Sequence, residues 1–529
     1  MNASRSTPLR ALSLSAWLAL TVGAQQPDHG AQPLGLLRSQ NITADSPTEY
    51  TLLLLNLLST SAIPTAIHPF SGPERASLLS AAAAASSAVD VCPSHSFEWS
   101  LPLVSAWINT NRGRQDRDGA VWQGRGLTAA LTGGFVFERR FLSAAVRPIA
   151  FGTQNLAYTP LAGAGPAPAD FSFPDPAISP YIDLPYRFGA RPYGRIEPGE
   201  SWIRVGAPFL SGGFTTASQH WGPAVIYPLV MGTEGAGYPR VFIETSVPLG
   251  IGRAKANWSV GRLESSGFTQ LAPGERSRIA PALVGTFEPA GFPGLEVGAA
   301  RMFHQRWSRT AATLSTAMEP FSVLYKTQAG ELAAETNQMA SIFARLAPPG
   351  GGVEVYGELY REDHSANFRD LVGEPDHASA YSVGLRRAWL VEGGVIRAFT
   401  LEGANGRISH IQRVRDQAPV YIHTALTEGH TFLGQPLGSS AAIGGGGVTA
   451  IVEQIEAQRS YSAEASLRRS VQRYEGGTWN GRLSGFYGLS LSRKEIDKNR
   501  TGSWSIGADY GFGFERGVNL TLERSFRWD

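Results

Sequence analysis

From Ser460 to Asp529, apolar and polar side chains alternate through four long runs, each broken by Gly, Asn or Asp. In 504–514, Trp504, Ile506, Ala508, Tyr510, Phe512 and Phe514 alternate with Ser505, Gly507, Asp509, Gly511 and Gly513. In 518–526, Val518, Leu520, Leu522 and Phe526 interleave with Asn519, Thr521, Glu523 and Ser525. A period of two sends the two sets to opposite faces of a strand. Runs of about 10 residues with aromatics on one face and Gly and small polar groups on the other fit strands of a barrel closed in lipid. The rhythm begins near Phe97 and recurs. Val353, Val355 and Leu359 stand against Glu354 and Glu358; Tyr381, Val383, Leu385, Trp389 and Val391 share a face. Tyr461, Ala463, Ala465, Leu467 and Val471 oppose Ser462, Glu464, Ser466, Arg468 and Ser470.

Composition agrees. Only 17% of residues are charged, against about 25% in soluble domains. Beyond the N-terminus no run of 18 apolar residues offers a membrane helix. Low charge without such a run suits a barrel, where inward and outward residues cancel in any hydropathy window. The net charge of +2 argues against nucleic acid as a partner. Residues 1–24 read as a signal peptide: Arg5 and Arg10, then an apolar run with Leu12, Leu14, Trp17, Leu18 and Leu20, then Val22-Gly23-Ala24 for cleavage. Cys92 is the single cysteine, which excludes an internal disulfide and a cysteine-based zinc cage.

Residues 25–95 read as a helical periplasmic element, opening on a mobile, Pro-rich lead-in over 25–47. Ser46-Pro47-Thr48-Glu49 before the run Leu52–Leu58 is a helix start. A second helix is expected from Pro73-Glu74 through Leu78, Leu79 and Ala81–Ala85 to Val89. Residues 96–529 form the barrel. The roughly 430 residues left, at roughly 24 per strand and connection, give about 18 strands. The Pro/Gly-rich stretches 160–200 and 430–447 are expected to be long loops. The fold class is thus all-β, a transmembrane antiparallel barrel. A soluble propeller or sandwich would also alternate, but the signal peptide, the long final strands and the aromatics Phe526 and Trp528 favour the membrane barrel. On this reading, Arg or Lys at Ile506 or Phe512 is costly at the bilayer midplane, roughly 2–4 kcal/mol, and the same charge at Ser505 or Asp509 is tolerated.

Five stretches interrupt the strand rhythm: Asp118-Gly119-Ala120-Val121-Trp122-Gln123-Gly124-Arg125-Gly126-Leu127; Gln154-Asn155; Gln219-His220-Trp221-Gly222-Pro223 with Gly237-Tyr238-Pro239; Tyr356-Gly357-Glu358 with Glu362-Asp363; and Tyr421-Ile422-His423 with Gly429-His430-Thr431 and Gly434-Gln435-Pro436-Leu437-Gly438. In these the sequence resembles the capsule-assembly outer-membrane proteins of the Wzi type. That family carries D-G-A-x-W-Q-G-R-G-L, a W-G-P turn, Y-x-E followed by acids, and G-x-T-x-x-G-x-P-L-G, in this order. Two departures stand out: a short, Ala-rich helical region, and Leu433 where family members often carry a basic residue nearby. The resemblance implies an 18-stranded barrel with a periplasmic helical element. It also implies a role in holding capsular polysaccharide or exopolysaccharide at the cell surface.

The side chains themselves allow two readings. Trp122 offers a flat face beside Gln123 and Arg125, and the Arg fork suits acidic sugars. Equally, Gly and Arg fill and line large barrels, with Arg paired across the interior. The glycan-binding or lumen candidates are therefore Trp122, Gln123, Arg125, Asn155, His220, Trp221, Glu358, His423 and His430. No catalytic constellation emerges. His423 and His430 lack zincin spacing, no G-x-S-x-G elbow is present, and adjacent acids such as Glu362-Asp363 do not define a hydrolytic cleft. No cofactor and no metal are expected. The expected partners are a polysaccharide and outer-membrane lipid, with the barrel a monomer. A diffusion channel, from strand number alone, is the alternative, and an outer-membrane hydrolase the second.

Overall fold

A computed structural model describes residues 30–37, 41–60, 63–86, 89, 96–113, 117–159, 170–173, 181–207, 209–269, 271, 275–307, 313–322, 336–362, 376–408, 418–423, 426–469, 474–475, 478–479, 485–497, 500–512 and 517–528. The signal peptide over 1–24, Cys92, Asp363, Val471 and Phe514 lie outside the described residues.

Alternation carries through to a closed antiparallel barrel of eighteen strands among the described residues. Two of these crossings are interrupted. Leu142–Val146 and Ile149–Thr153 form one, and Tyr193–Glu197 and Trp202–Ala207 form its neighbour, breaking at the Arg147 to Gly199 bridge. Neighbouring strands are joined in sequence order. The ring closes where the first strand, Phe97–Asn109, pairs antiparallel with the last, Gly517–Trp528, from Leu103 opposite Arg527 to Asn109 opposite Thr521. Closure leaves no free edge strand among the described residues, so the ladders pair around the ring without water. Short turns lie at one mouth and the long connections at the other.

Parity assigns the faces as the sequence suggests. Trp504, Ile506, Ala508 and Tyr510 are exposed, while Ser505, Gly507, Asp509 and Gly511 are buried. Exposed aromatics collect toward the short-turn mouth (Trp99, Trp389, Tyr461, Trp504) and toward the long-loop mouth (Tyr381, Tyr487, Tyr510). Between them lie Ile342, Val383, Leu489, Ile506 and Leu520. Two girdles around an aliphatic band fit a bilayer and its two interfaces. The inward face differs from expectation. Asp509 pairs with Arg112 and accepts from Asn519 at 3.1 Å, and Ser505 is fully buried. A charge at either position meets a packed interior and is not freely accommodated. Ser490, half-buried and opposite Glu464, is the better inward site for a Lys.

Two helices sit at the short-turn mouth. Helix α1, Pro47–Leu58, starts where Ser46 Oγ accepts the Glu49 amide at 3.2 Å, with Pro47 in its first turn. Its Leu52, Leu54, Leu55 and Leu57 pack on Ala347, Ala388, Ile396, Ala398 and Ile455 of the wall. Small wall residues make room for the large ones on the helix. Helix α2, Gly72–Ala85, opens on a Ser71–Glu74 capping box, ends before Val89, and is tied to the wall by Glu74–Lys255 at 2.8 Å and by Arg75–Glu138.

Two expectations need correction. The described part of the 25–47 lead-in is docked: Leu34 and Leu37 are buried, and the Leu34 and Gly35 amides donate to Glu456 and Ala457 carbonyls at 3.0 and 2.8 Å. Its Leu residues and free amides outweigh its Pro content. Within the 160–200 stretch, Tyr193–Glu197 is wall rather than loop, pairing with Ile149–Thr153. The sequence carried no expectation for Thr313–Phe321, which lies on the outward face. There Trp258 Nε1 donates to the Ala317 carbonyl at 2.9 Å, and Arg301 donates to Pro320 and Ser322 carbonyls at 3.2 and 2.6 Å. Trp258 and Arg301 have outward parity, so this segment covers wall residues too polar for lipid.

Candidate functional site

The bore of the barrel is occupied by its own chain. The N-terminal segment enters from the short-turn mouth. Two long connections, around 216–239 and 418–445, fold inward and meet it. The N-terminal strand Ile67–His68 pairs with His220–Trp221 of the first connection. Tyr421 Oη of the second donates to the Leu229 carbonyl, and His430 Nε2 donates to the Val230 carbonyl at 2.7 Å. A core of Trp221, Leu229, Val230, Met231, Tyr421 and Phe432 results, against wall residues Ala280, Ala282, Val284 and Met302.

These inward segments have little regular structure, so their backbone groups need partners. Wall carboxylates take the amides. Glu402 accepts from Val225, Ile226 and Tyr227 at 2.8, 3.0 and 2.6 Å. Glu358 accepts from Leu229 at 3.3 Å, and Glu362 from Tyr421. Glu296 accepts from Thr65 and Ala66 at 3.0 and 3.3 Å, and Glu453 from Ala31 at 2.8 Å. Wall cations take the carbonyls. Arg278 donates to Gly429 and to Thr431, the latter at 2.6 Å; Arg240 donates to Ala217 at 2.8 Å; Lys255 donates to Ile67 at 3.2 Å. A charged donor or acceptor makes each bond stronger than its neutral counterpart. The plug is therefore bolted to the wall at many points.

The nine candidates can now be placed. Trp122 is 3% exposed and packs with Trp107, Phe151 and Phe188, its ring 5.3 Å from Phe188. Gln123 is buried and donates to Asp118 Oδ1 at 3.0 Å. Asn155, at a φ of 49°, donates to the carbonyls of Phe188, Gly189 and Arg191 at 2.9, 3.0 and 2.8 Å. Trp221 is fully buried, and Glu358 holds the plug as described. His430 is stacked on His304 with centroids 5.2 Å apart. Arg125 and His423 alone among the nine remain partly exposed. Arg125 fastens the loop ends by donating to Thr110 and Ala157 carbonyls at 3.0 and 2.6 Å. His423 Nδ1 accepts the Leu426 amide at 3.0 Å. Trp122 and Arg125 thus do not form a joint sugar platform in this arrangement: one is packed and the other at the rim. Sequence reasoning missed Glu402, Glu296, Arg278 and Arg240. Their only signal is inward parity at a charged residue.

Electrostatics mark two plug histidines. Burial works to lower His220, but the Asp45 carboxylate at 2.9 Å outweighs it and raises His220 to about 9. Burial would raise Asp45, yet His220 and His68 hold it well below the usual carboxylate range. His430 is the opposite case: burial, aided by Arg278, lowers it to about 4 against the Val230 hydrogen bond. An unfolded or released loop carries a His titrating at 6.5, so it binds the proton first. Docking of this loop is then full strength above pH 6.5 and is lost as pH falls toward 4, by roughly 3 kcal/mol. Protection factors over 418–445, corrected for the intrinsic slowing of amide exchange in acid, should fall between pH 7 and pH 4.5. In His430→Gln, which can still donate to Val230, that fall should vanish.

A cavity of about 930 Å³ opens at the short-turn mouth beside α2, lined by Ser77, Ser80, Arg253 and Lys255 among others.

No family model and no curated protein sequence matches the chain. Among solved structures it is similar to Wzi of Escherichia coli, described as an outer-membrane protein involved in group 1 capsule assembly and a carbohydrate-binding β-barrel. The TM-score is 0.58 at 14% identity, covering 90% of this chain and 97% of that one. Acinetobacter baumannii OccAB4 (TM-score 0.42, 8% identity, 82% and 98% covered) and Pseudomonas aeruginosa OprD (TM-score 0.37, 8%, 81% and 92%) also match, too distantly in shape to bear on function. The likeness to Wzi shows the fold: this chain is built as an outer-membrane β-barrel.

Proposed function

We propose that the protein is a non-catalytic outer-membrane barrel that retains capsular polysaccharide or a related surface glycan at its long-loop mouth. The observation that supports this best is the occupied bore, with wall Glu, Arg and Lys consumed in holding it shut. A diffusion pore needs an aqueous path, and wall charges engaged by backbone are not free to line one. Work is then left to the loops and the rim. The resemblance to capsule-assembly proteins and the shape shared with a carbohydrate-binding barrel both favour a polysaccharide there. Arg125, partly exposed at the rim, presents positive charge to acidic sugars there, with Nε and Nη1 already held by the Thr110 and Ala157 carbonyls. In this reading the signal peptide directs the chain across the inner membrane. The helices face the periplasm and the long loops face outward.

Detergent-purified protein on a glycan array, with the same preparation in planar bilayers, tests the proposal. We expect saturable binding to an anionic surface polysaccharide, weakened several-fold in Arg125→Ala, and no steady conductance. Large steady conductance without polysaccharide binding would replace this reading with the diffusion channel.

A further inference from the structure

Four side chains from three stretches of chain converge where the N-terminal segment meets the inward connection 216–239. Asp45 and Glu49 flank the start of α1, His68 ends its two-residue strand, and His220 stands opposite His68 in the ladder. Ligating atoms of Asp45, Glu49 and His68 all lie within 4.8 Å of one another. His220 Nδ1 is 2.9 Å from Asp45 Oδ2, and the two imidazole centroids are 5.1 Å apart. All four line a cavity of about 30 Å³, room for a single water or ion.

The hydrogen bonding here has a specific deficit. His68 Nε2 lies 2.5 Å from the Thr65 carbonyl, so that nitrogen carries the proton. Nδ1 faces Glu49 Oε2 at 2.8 Å, yet it has no aligned hydrogen bond, and neither does Glu49 Oε1. Glu49 is 0% exposed and His68 3%. An imidazole lone pair held against a buried carboxylate is repulsive unless positive charge lies between them. The nearby guanidiniums have carboxylates of their own: Arg117 is 3.3 Å from Glu464, and Arg386 is 2.5 Å from Glu354. Two carboxylates with two neutral imidazoles carry two negative charges. One divalent cation, or two protons, would neutralise them.

We propose that Asp45, Glu49, His68 and His220 form a binding site for a divalent transition cation of the zinc class, joining the N-terminal segment to the inward connection. Two imidazole nitrogens and two carboxylate oxygens are a donor set that suits Zn²⁺. The supporting contacts are those that orient metal ligands. The Thr65 carbonyl fixes the His68 tautomer, Thr233 Oγ1 donates to Asp45 Oδ2 at 2.7 Å, and the Asp45 amide donates to Glu49 Oε2 at 2.7 Å. A metal makes better use of the His68–Glu49 geometry than a proton does, since it needs no N–H aimed along the contact. The site would close only when plug and connection are both docked, so a cation there stabilises the shut bore.

The test uses protein purified in detergent without an affinity tag, treated with chelator, and titrated calorimetrically with Zn²⁺. We expect one Zn²⁺ per chain, with affinity reduced at least tenfold in His68→Gln and in Glu49→Gln, and unchanged in Leu489→Ala on the outward face of the wall. Heat-dependent gel migration confirms that each variant keeps a folded barrel, and His220→Gln replaces any that does not. Absence of saturable Zn²⁺ binding in the unaltered protein overturns the proposal and leaves two imidazolium–carboxylate pairs. Binding unaffected by the ligand substitutions overturns it as well.

Discussion

Glu402→Gln should unlatch the inward connection while leaving the barrel wall intact. The Glu402 carboxylate is fully buried and accepts the amides of Val225, Ile226 and Tyr227, together with Tyr356 Oη at 2.5 Å. Four donors saturate the lone pairs of one carboxylate. A Gln offers one oxygen and turns an NH₂ toward donors, so at least two charge-assisted bonds are lost, each worth roughly 1.5–3 kcal/mol. Most of a loss of about 3–6 kcal/mol falls on the connection, which supplies three of the four donors, because the ladders of Val395–Asn405 with its neighbours do not involve this side chain. Limited proteolysis should cut within 216–239 in the variant and not in the unaltered protein. Bilayer recordings should change from silence to discrete current steps. Equal protection and equal silence in both proteins would show that the connection is held by something other than this carboxylate.

Strand parity made the wall readable. Trp504 to Tyr510 and Val518 to Phe526 face as their alternation requires, and the Ser46 cap starts a helix where the sequence places it, while the second helix starts within a residue of the expected Pro73. The interior was less readable for two physical reasons. Parity gives direction only inside a strand. Trp122 and Gln123 sit in an irregular connection, where an aromatic beside a polar residue reads equally as ligand platform or as packing. The second reason is separation. Glu402 meets Tyr227 across 175 positions, and Arg278 meets Thr431 across 153. Only closure of the barrel brings such partners together, and no local spacing records it. The same holds for Asp45 with His220. Glu358 is instructive because its inward parity was visible, while its partner, the Leu229 amide, was not. Thr313–Phe321 is the reverse case. An outward Arg301 breaks the lipid-facing pattern, and that break was the available sign that chain covers the wall there.

Glu354→Gln should be the most damaging single change in the wall. Glu354 is fully buried between Arg345, whose Nε donates to Oε1, and Arg386, whose Nε and a terminal nitrogen approach Oε2 at 2.7 and 2.5 Å. Both guanidiniums are buried as well. Removing the central charge strands Arg386 in the bore and leaves Arg345 to Glu296 alone, at a cost of about 3–5 kcal/mol. The pair as a whole is worth much less than that, because its desolvation offsets most of its attraction. Arg345 has a second carboxylate in Glu296 at 3.8 Å, whereas Arg386 depends on Glu354. The double variant Glu354→Leu/Arg386→Leu should therefore recover most of the stability lost by Glu354→Gln. Urea unfolding in lipid vesicles measures both. A single variant costing under about 1 kcal/mol, or a double variant as damaged as the single, would mean that the loss does not arise from an orphaned Arg386.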